Sequence, residues 1–132
     1  MLNVKILTAY PEMFPGNLNY SLMGKALKEQ IYTIETINLH DFGIDNRKNI
    51  DDEPFGGGPG MILRPDVVEK ALLSIPNKQK LKSSKIYLSP SGNLLNQGKL
   101  GIFSKLDEII ILCGRFEGVD QRAIDSLGFE EI

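Results

Sequence analysis

Apolar and polar positions along the 132-residue chain switch repeatedly between a period of two and a period near 3.6. Val4-Lys5-Ile6-Leu7-Thr8-Ala9 reads as a first strand, and Tyr10 to Gly16, with two prolines and a glycine, turns the chain. Leu22, Met23, Ala26 and Leu27 then fall on one helical stripe, with Ser21 placed to cap it. Tyr32 to Ile37 alternates and is β-branched, which predicts a second strand. Arg64-Pro65-Asp66 opens a second helix, whose apolar face is Val67, Val68, Ala71, Leu72 and Ile75, and Pro76 ends it. A lysine-rich connector runs to Ser84, and Ile86-Tyr87-Leu88 is a short strand. Leu100, Ile102 and Phe103 mark a modest helix. Ile109-Ile110-Ile111-Leu112 is an uninterrupted apolar run, as expected of a strand buried on both faces. Val119, Ala123, Ile124 and Leu127 predict a last helix ending at Gly128. Strands alternating with helices imply an α/β fold, a mainly parallel sheet with helices on both faces.

Three polar stretches interrupt this pattern. From His40 to Gly60 the periodicity dissolves into a charged segment followed by Pro54-Phe55-Gly56-Gly57-Gly58-Pro59-Gly60. Structureless stretches of that length are functional or linkers. Glycine allows close backbone approach to a ligand or another chain. No Gly-Lys-Ser/Thr follows the glycines, so this is not a Walker phosphate loop. The other two stretches, Ser89-Pro90-Ser91-Gly92-Asn93 and Cys113-Gly114-Arg115-Phe116-Glu117-Gly118, each follow a strand. Both are therefore expected at one sheet edge, where α/β proteins bind ligands, although each also reads as a plain strand-to-helix turn.

Composition narrows the chemistry. A chain of 132 residues, 42% hydrophobic and 24% charged, is long enough for one domain with a real core. No apolar run approaches a membrane span, and the N-terminus lacks a signal-peptide layout, so a cytoplasmic protein with no membrane partner is expected. Cys113 is the single cysteine and His40 the single histidine, which excludes an internal disulfide, a cysteine-based zinc site and a histidine cluster. Cys113 is expected to be a small buried hydrophobe. A net charge of −2 gives no global sign of nucleic-acid binding. Lys78, Lys80, Lys82 and Lys85 form the one local basic cluster noted, which also reads as a solvated loop.

Taken together, Asp51-Asp52-Glu53-Pro54-Phe55-Gly56-Gly57-Gly58-Pro59-Gly60-Met61, Tyr87-Leu88-Ser89-Pro90 and Leu112 to Asp120 resemble the bacterial tRNA (guanine-N1)-methyltransferases, the TrmD family, and Tyr10-Pro11-Glu12-Met13-Phe14 fits as well. The resemblance implies a SPOUT-type methyltransferase domain with a trefoil knot. It also implies transfer of a methyl group from S-adenosylmethionine to N1 of guanine 37 of tRNA, and a homodimer with sites between subunits. Carried over by position, Tyr87, Leu88, Ser89 and Pro90 form one wall of the cofactor site, and Gly114, Phe116 and Glu117 the other. Arg115 would hold a phosphate or the guanine, and Gly57, Gly58, Pro59 and Gly60 lie near the tRNA and the second subunit. The resemblance allows Mg2+ but names no metal ligand.

After Glu130-Glu131-Ile132 the family continues into a further cofactor loop, a catalytic aspartate, a linker and a tRNA-binding domain. Residues 1–132 thus read as a truncated N-terminal S-adenosylmethionine-binding domain whose knot is incomplete and whose C-terminal tRNA-binding domain is absent. The catalytic base is unassigned, because the family's aspartate lies beyond Ile132, and the chain alone is expected to be inactive. Two other readings are a non-catalytic binding or dimerisation module of the same family and a small nucleotide-binding protein of doubly wound type.

Overall fold

The computed structural model describes residues 1–132 except Phe55, Gly58, Pro59, Lys78, Gln79, Phe116 and Glu117. In chain order the elements are β1 (Leu2–Thr8), α1 (Ser21–Lys28), β2 (Tyr32–Asn38), β3 (Asp51–Asp52), β4 (Ile62–Leu63), α2 (Pro65–Leu73), β5 (Ser83–Tyr87), α3 (Gln97–Phe103), β6 (Glu108–Leu112), α4 (Gln121–Ser126) and β7 (Glu130–Glu131). Five strands form one sheet in the order β2-β1-β6-β5-β7, and every pairing in it is parallel. The expected α/β architecture is therefore present. The apolar run 109–112 lies at its centre, between β1 and β5.

The pleat of β6 divides its side chains between two cores. Ile110 and Leu112 join Leu7, Tyr87, Val67, Val68 and Ala71 of α2 and Ile124 of α4. Ile109 and Ile111 point the other way, to Leu2, Ile86 and Phe103 of α3. The first core is the larger and is closed over by α2 and α4. On the second face, Leu2, Ile86, Ile109, Leu100, Phe103 and Ile132 line an apolar groove of about 560 Å³. Near the start of β6 the buried Glu108 is compensated by Lys5 at 3.3 Å and by the Ser83 hydroxyl, which donates at 2.9 Å.

Two expectations about α1 need correction. Ser21 does not cap α1: it is the first helical residue, takes φ +57°, and no side-chain cap bond forms. A 3-10 turn at Gly16–Asn19 packs directly on the helix start instead, and Gly24 donates its N–H to the Tyr20 carbonyl at 3.0 Å. The stripe on α1 is not a buried face either, since Leu22 is 80% and Met23 47% exposed and only Gly24 is buried.

The described part of the segment 40–60 carries structure that its pattern does not predict. Leu39 and Ile50 are core residues, Ile44 and Asn49 form an antiparallel bridge, and β3 pairs antiparallel with β4. Two-residue strands are too short to show a period, which is why they were invisible. Strand limits shift as well. β5 begins at Ser83 inside the supposed connector and ends before Leu88, and β7 had no predicted counterpart.

Leu112 is fully buried at the meeting of β1, β5 and β6. Leu112→Ala is expected to cost about 3 kcal/mol, the usual penalty for such a cavity. Urea denaturation checks this, and a loss below about 1 kcal/mol would contradict the packing described.

Candidate functional site

Parallel register brings the two strand-end loops together. Tyr87 and Leu7 both pair with Leu112, so β5 and β6 end level and β1 runs one residue further at the same edge of the sheet. Leu88, Ser89 and Pro90 leave β5 at that edge, and Cys113, Gly114 and Arg115 leave β6 beside them. Leu88 and Pro90 are exposed and Ser89 is half-buried.

Tyr87 joins the two loops. Its side chain is buried, and its ring lies beneath the loop that follows β6. A Cβ on Gly114 would lie 3.2 Å from Tyr87 Cε2 and from its Oη, and one on Gly118 would lie 2.9 Å from Oη. Gly118 also takes φ +108°, so both room and backbone conformation favour glycine there. Burial pushes the Tyr87 phenol above its ordinary value, a backbone hydrogen bond from Val119 pulls the other way, and the Glu131 charge adds to the rise. Tyr87 therefore stays a neutral phenol that templates the loop from below.

The glycine-rich segment reaches the same place by a different route. It lies between β3 and β4, and Leu63 of β4 donates its N–H to the Gly118 carbonyl at 2.8 Å while bridging Val119. The base of the hairpin is thus bonded to the loop over Tyr87. A turn is closed by Gly57 N–H to Pro54 O at 3.1 Å, with Gly56 at φ +83° and Gly57 at +82°. Among the described residues nothing lies within 4 Å of where Cβ atoms on Gly56 and Gly57 would sit. Gly60 is exposed with φ +93°. Arg64, at the foot of this hairpin, forks onto Asp66 at 3.1 Å and reaches Asp52 at 3.0 Å. Burial pushes the Asp66 carboxyl up, but the Arg64 hydrogen bond and charge outweigh it and hold the carboxyl below its ordinary value.

Arg115 lies over the Tyr10 ring, 5.2 Å from its centroid, which draws the loop after β1 into the same edge. Asp120 caps α4, accepting from the Arg122 N–H at 2.9 Å and from its guanidinium at 2.9 Å, and these hydrogen bonds hold its carboxyl low. Cys113 is half-buried rather than fully buried, and burial pushes its thiol up, away from a nucleophilic thiolate.

Of the residues expected in the site, Tyr87, Leu88, Ser89, Pro90, Gly114 and Arg115 gather at this edge, and Gly57 and Gly60 belong to the hairpin whose base is bonded to it. Phe116, Glu117, Gly58 and Pro59 lie outside the described residues. Lys85 of the lysine cluster lies within β5, half-buried and two residues before Tyr87. Lys80 and Lys82 are exposed before the start of β5, at the opposite end of the strand from Tyr87, and Lys78 lies outside the described residues. Among the described residues no group of three or more His, Cys, Asp or Glu side chains could hold a metal ion. Two participants had no signal in the sequence, Glu131 and the Tyr10–Arg115 contact. Both depend on tertiary juxtaposition.

The family model of tRNA (Guanine-1)-methyltransferase TrmD matches residues 2–132. The chain belongs to that family. A tRNA (guanine-N(1)-)-methyltransferase of Ehrlichia canis (strain Jake) is 47% identical over 131 residues, covering 99% of this chain and 55% of that protein. One of Wolbachia pipientis wMel is 49% identical over 124 residues, covering 94% and 52%. The crystal structure of the tRNA (m1G37) methyltransferase from Aquifex aeolicus superposes with a TM-score of 0.78 at 32% identity, covering 94% of this chain and 56% of that one. The chain spans about half the length of the relatives it matches. The resemblance read from the three motif stretches is thus borne out as membership of the TrmD family, and the fold as that of a TrmD methyltransferase.

Glycine dependence distinguishes the packed loop from the open one. Gly118→Ala combines a left-handed backbone with a clash on Tyr87, so it is expected to destabilise by about 2 kcal/mol or more, whereas Gly57→Ala carries only backbone strain of about 1 kcal/mol. Thermal melts of the two variants check the order, and equal effects would argue against Tyr87 as the template.

Proposed function

We propose that this chain forms the methyl-donor half of an enzyme that transfers a methyl group from S-adenosylmethionine to N1 of guanine 37 in tRNA, beside the anticodon. The observation that carries this reading is the convergence of Tyr87–Pro90 with Gly114 and Gly118 at one edge of the sheet, in a chain of the TrmD family. The edge suits an adenosyl group. Leu88 offers an exposed apolar surface, and Gly114 leaves its backbone open on the side away from Tyr87. Residues 88–90 would form one wall and Gly114, with Phe116 and Glu117, the other. When bound, the cofactor supplies an electrophilic methyl on a sulfonium.

The chain's own residues hold and orient. Arg115, steadied over Tyr10, would meet the guanine or a phosphate. The hairpin carrying Gly57, Gly58, Pro59 and Gly60 would face the tRNA and a second subunit. Guanine N1 must lose its proton as it attacks, which requires a general base. In this reading the base, the rest of the donor pocket and the tRNA-binding domain come from the other half of the relatives' length. The setting is the cytoplasm, where tRNA is modified.

The test is transfer of a labelled methyl group to a tRNA transcript by the product of the complete reading frame that encodes these residues. Label at guanine 37, lost on changing that base to adenine, is expected. No transfer would overturn the reading. The 132-residue chain alone is expected to bind S-adenosylmethionine weakly or not at all in calorimetry and to transfer nothing. Robust methylation by it would show that the base lies within these residues.

A homodimer is the second part of the proposal. Met13, Tyr20, Leu22 and Met23 are exposed on and before α1, and exposed apolar side chains close in sequence suit a subunit interface. Sedimentation of the 132-residue chain is expected to show a dimer that Leu22→Lys converts to monomer. A monomeric parent chain would remove this part.

A further inference from the structure

Beyond the loops joined by Tyr87, the turn Ser89–Asn93 is fastened by a segment 40 residues away that no motif predicts. Glu131 Oε2 accepts from both the Ser89 and the Ser91 hydroxyls, each at 3.2 Å, and the two hydroxyls lie 3.2 Å apart. Three backbone bonds run alongside: Ile132 N–H to Tyr87 O at 3.0 Å, Ser89 N–H to Ile132 O at 3.0 Å, and Asn93 N–H to Glu131 O at 3.2 Å. The turn closes on itself through Gly92 N–H to Ser89 O at 3.2 Å. A Cβ on Gly92 would fall 2.3 Å from the Ile132 carbonyl carbon, so the turn rides directly on that backbone.

No apolar anchor duplicates this. Pro90, Ser91, Asn93 and Leu94 are all exposed, and none of the turn's side chains belongs to either core. A short exposed turn has ample conformational freedom to lose, and only polar contacts here oppose that freedom. A side-chain oxygen shared by two hydroxyl donors, each at 3.2 Å, holds both to one point. It also acts on both sides of Pro90, fixing the direction in which the chain leaves β5.

We propose that Glu131 is a positioning residue, whose carboxylate latches the Ser89–Asn93 turn to β7 and so sets the wall formed by Leu88, Ser89 and Pro90. The role of that wall as a donor surface rests on the function proposed above, but the latch does not. Glu131 acts through Ser89 and Ser91 and needs no contact with the reacting atoms.

Amide hydrogen exchange of the 132-residue chain tests the latch directly. In Glu131→Ala the amides of Ser89 and Asn93 are expected to exchange about tenfold faster, the size of a lost hydrogen bond to a charged group. The amides of Ile110 and Leu112 should stay within about twofold. Glu131→Gln keeps an oxygen that accepts from both serines and is expected to restore most of the protection, which a purely electrostatic role would not allow. Unchanged exchange at Ser89 and Asn93, an equal rise in the core, or failure of the glutamine to rescue would each overturn the latch.

With the product of the complete reading frame, Glu131→Ala is expected to raise the KM for S-adenosylmethionine about tenfold while kcat changes less than twofold, again with rescue by glutamine. If the parent enzyme does not use S-adenosylmethionine, the functional reading fails while the exchange result still decides the latch. If it does, and KM is unmoved, the positioning role fails.

Discussion

The burial of β6 between two parallel neighbours is the constraint on which the rest of this molecule depends. Each of Ile109, Ile110 and Leu112 is largely withdrawn from water, and each such side chain contributes on the order of 2 kcal/mol. Because the pleat sends alternate residues to opposite faces, one five-residue strand supports both cores. The same parallel pairing obliges β1, β5 and β6 to end at the same edge, and a strand that ends at the sheet edge must continue as a loop there. The meeting of three loops at one edge is thus a consequence of register.

Register alone does not shape those loops. That task falls to a buried aromatic ring and to glycines chosen for lack of bulk. Tyr87 closes the top of the larger core and serves as the floor on which Gly114 and Gly118 rest. A residue that completes a core and also templates a loop couples site geometry to global stability, since the loop cannot relax without disturbing the ring. The bond from Leu63 to Gly118 extends the coupling to the glycine-rich hairpin, and Ile50 and Leu63 tie that hairpin into the same core. The hairpin tip, by contrast, has glycines with positive φ and, among the described residues, open space, which suits a surface that receives something rather than one that supports something.

The framework was legible in the sequence wherever a period had room to declare itself. The run 109–112, the stripe Val67, Val68 and Ala71 and the alternation at 32–37 are each long enough, and each formed as expected. Most of the misses were decided by contacts that a local period cannot report. Leu39 and Ile50 are single apolar residues in a polar segment and gain their meaning only from α2 and β1. The stripe on α1 has the right spacing yet is only partly covered, with Leu22 and Met23 exposed and Ala26 and Leu27 half-buried, because periodicity specifies a face but not what the face meets. Ser21 is a good capping residue, but the 3-10 turn before it leaves no cap to make. For the site, the motif stretches were visible. The tie from Glu131 to Ser89 and Ser91 was not, since nothing local distinguishes that glutamate from its neighbour.

The protonation chemistry separates what these residues do from what they leave to others. A general base for a guanine N1 proton needs an available carboxylate or imidazole near the working pH. Asp120 is held low by its hydrogen bonds to Arg122 and is committed as a helix cap, so it is a poor proton acceptor. The Cys113 thiol is pushed up and stays protonated. Tyr87 is likewise held neutral under its loop. At this edge, among the described residues, each of these ionisable groups is committed to holding structure in one protonation state, and such commitment is incompatible with shuttling a proton. Groups committed in this way keep the shape of the edge constant.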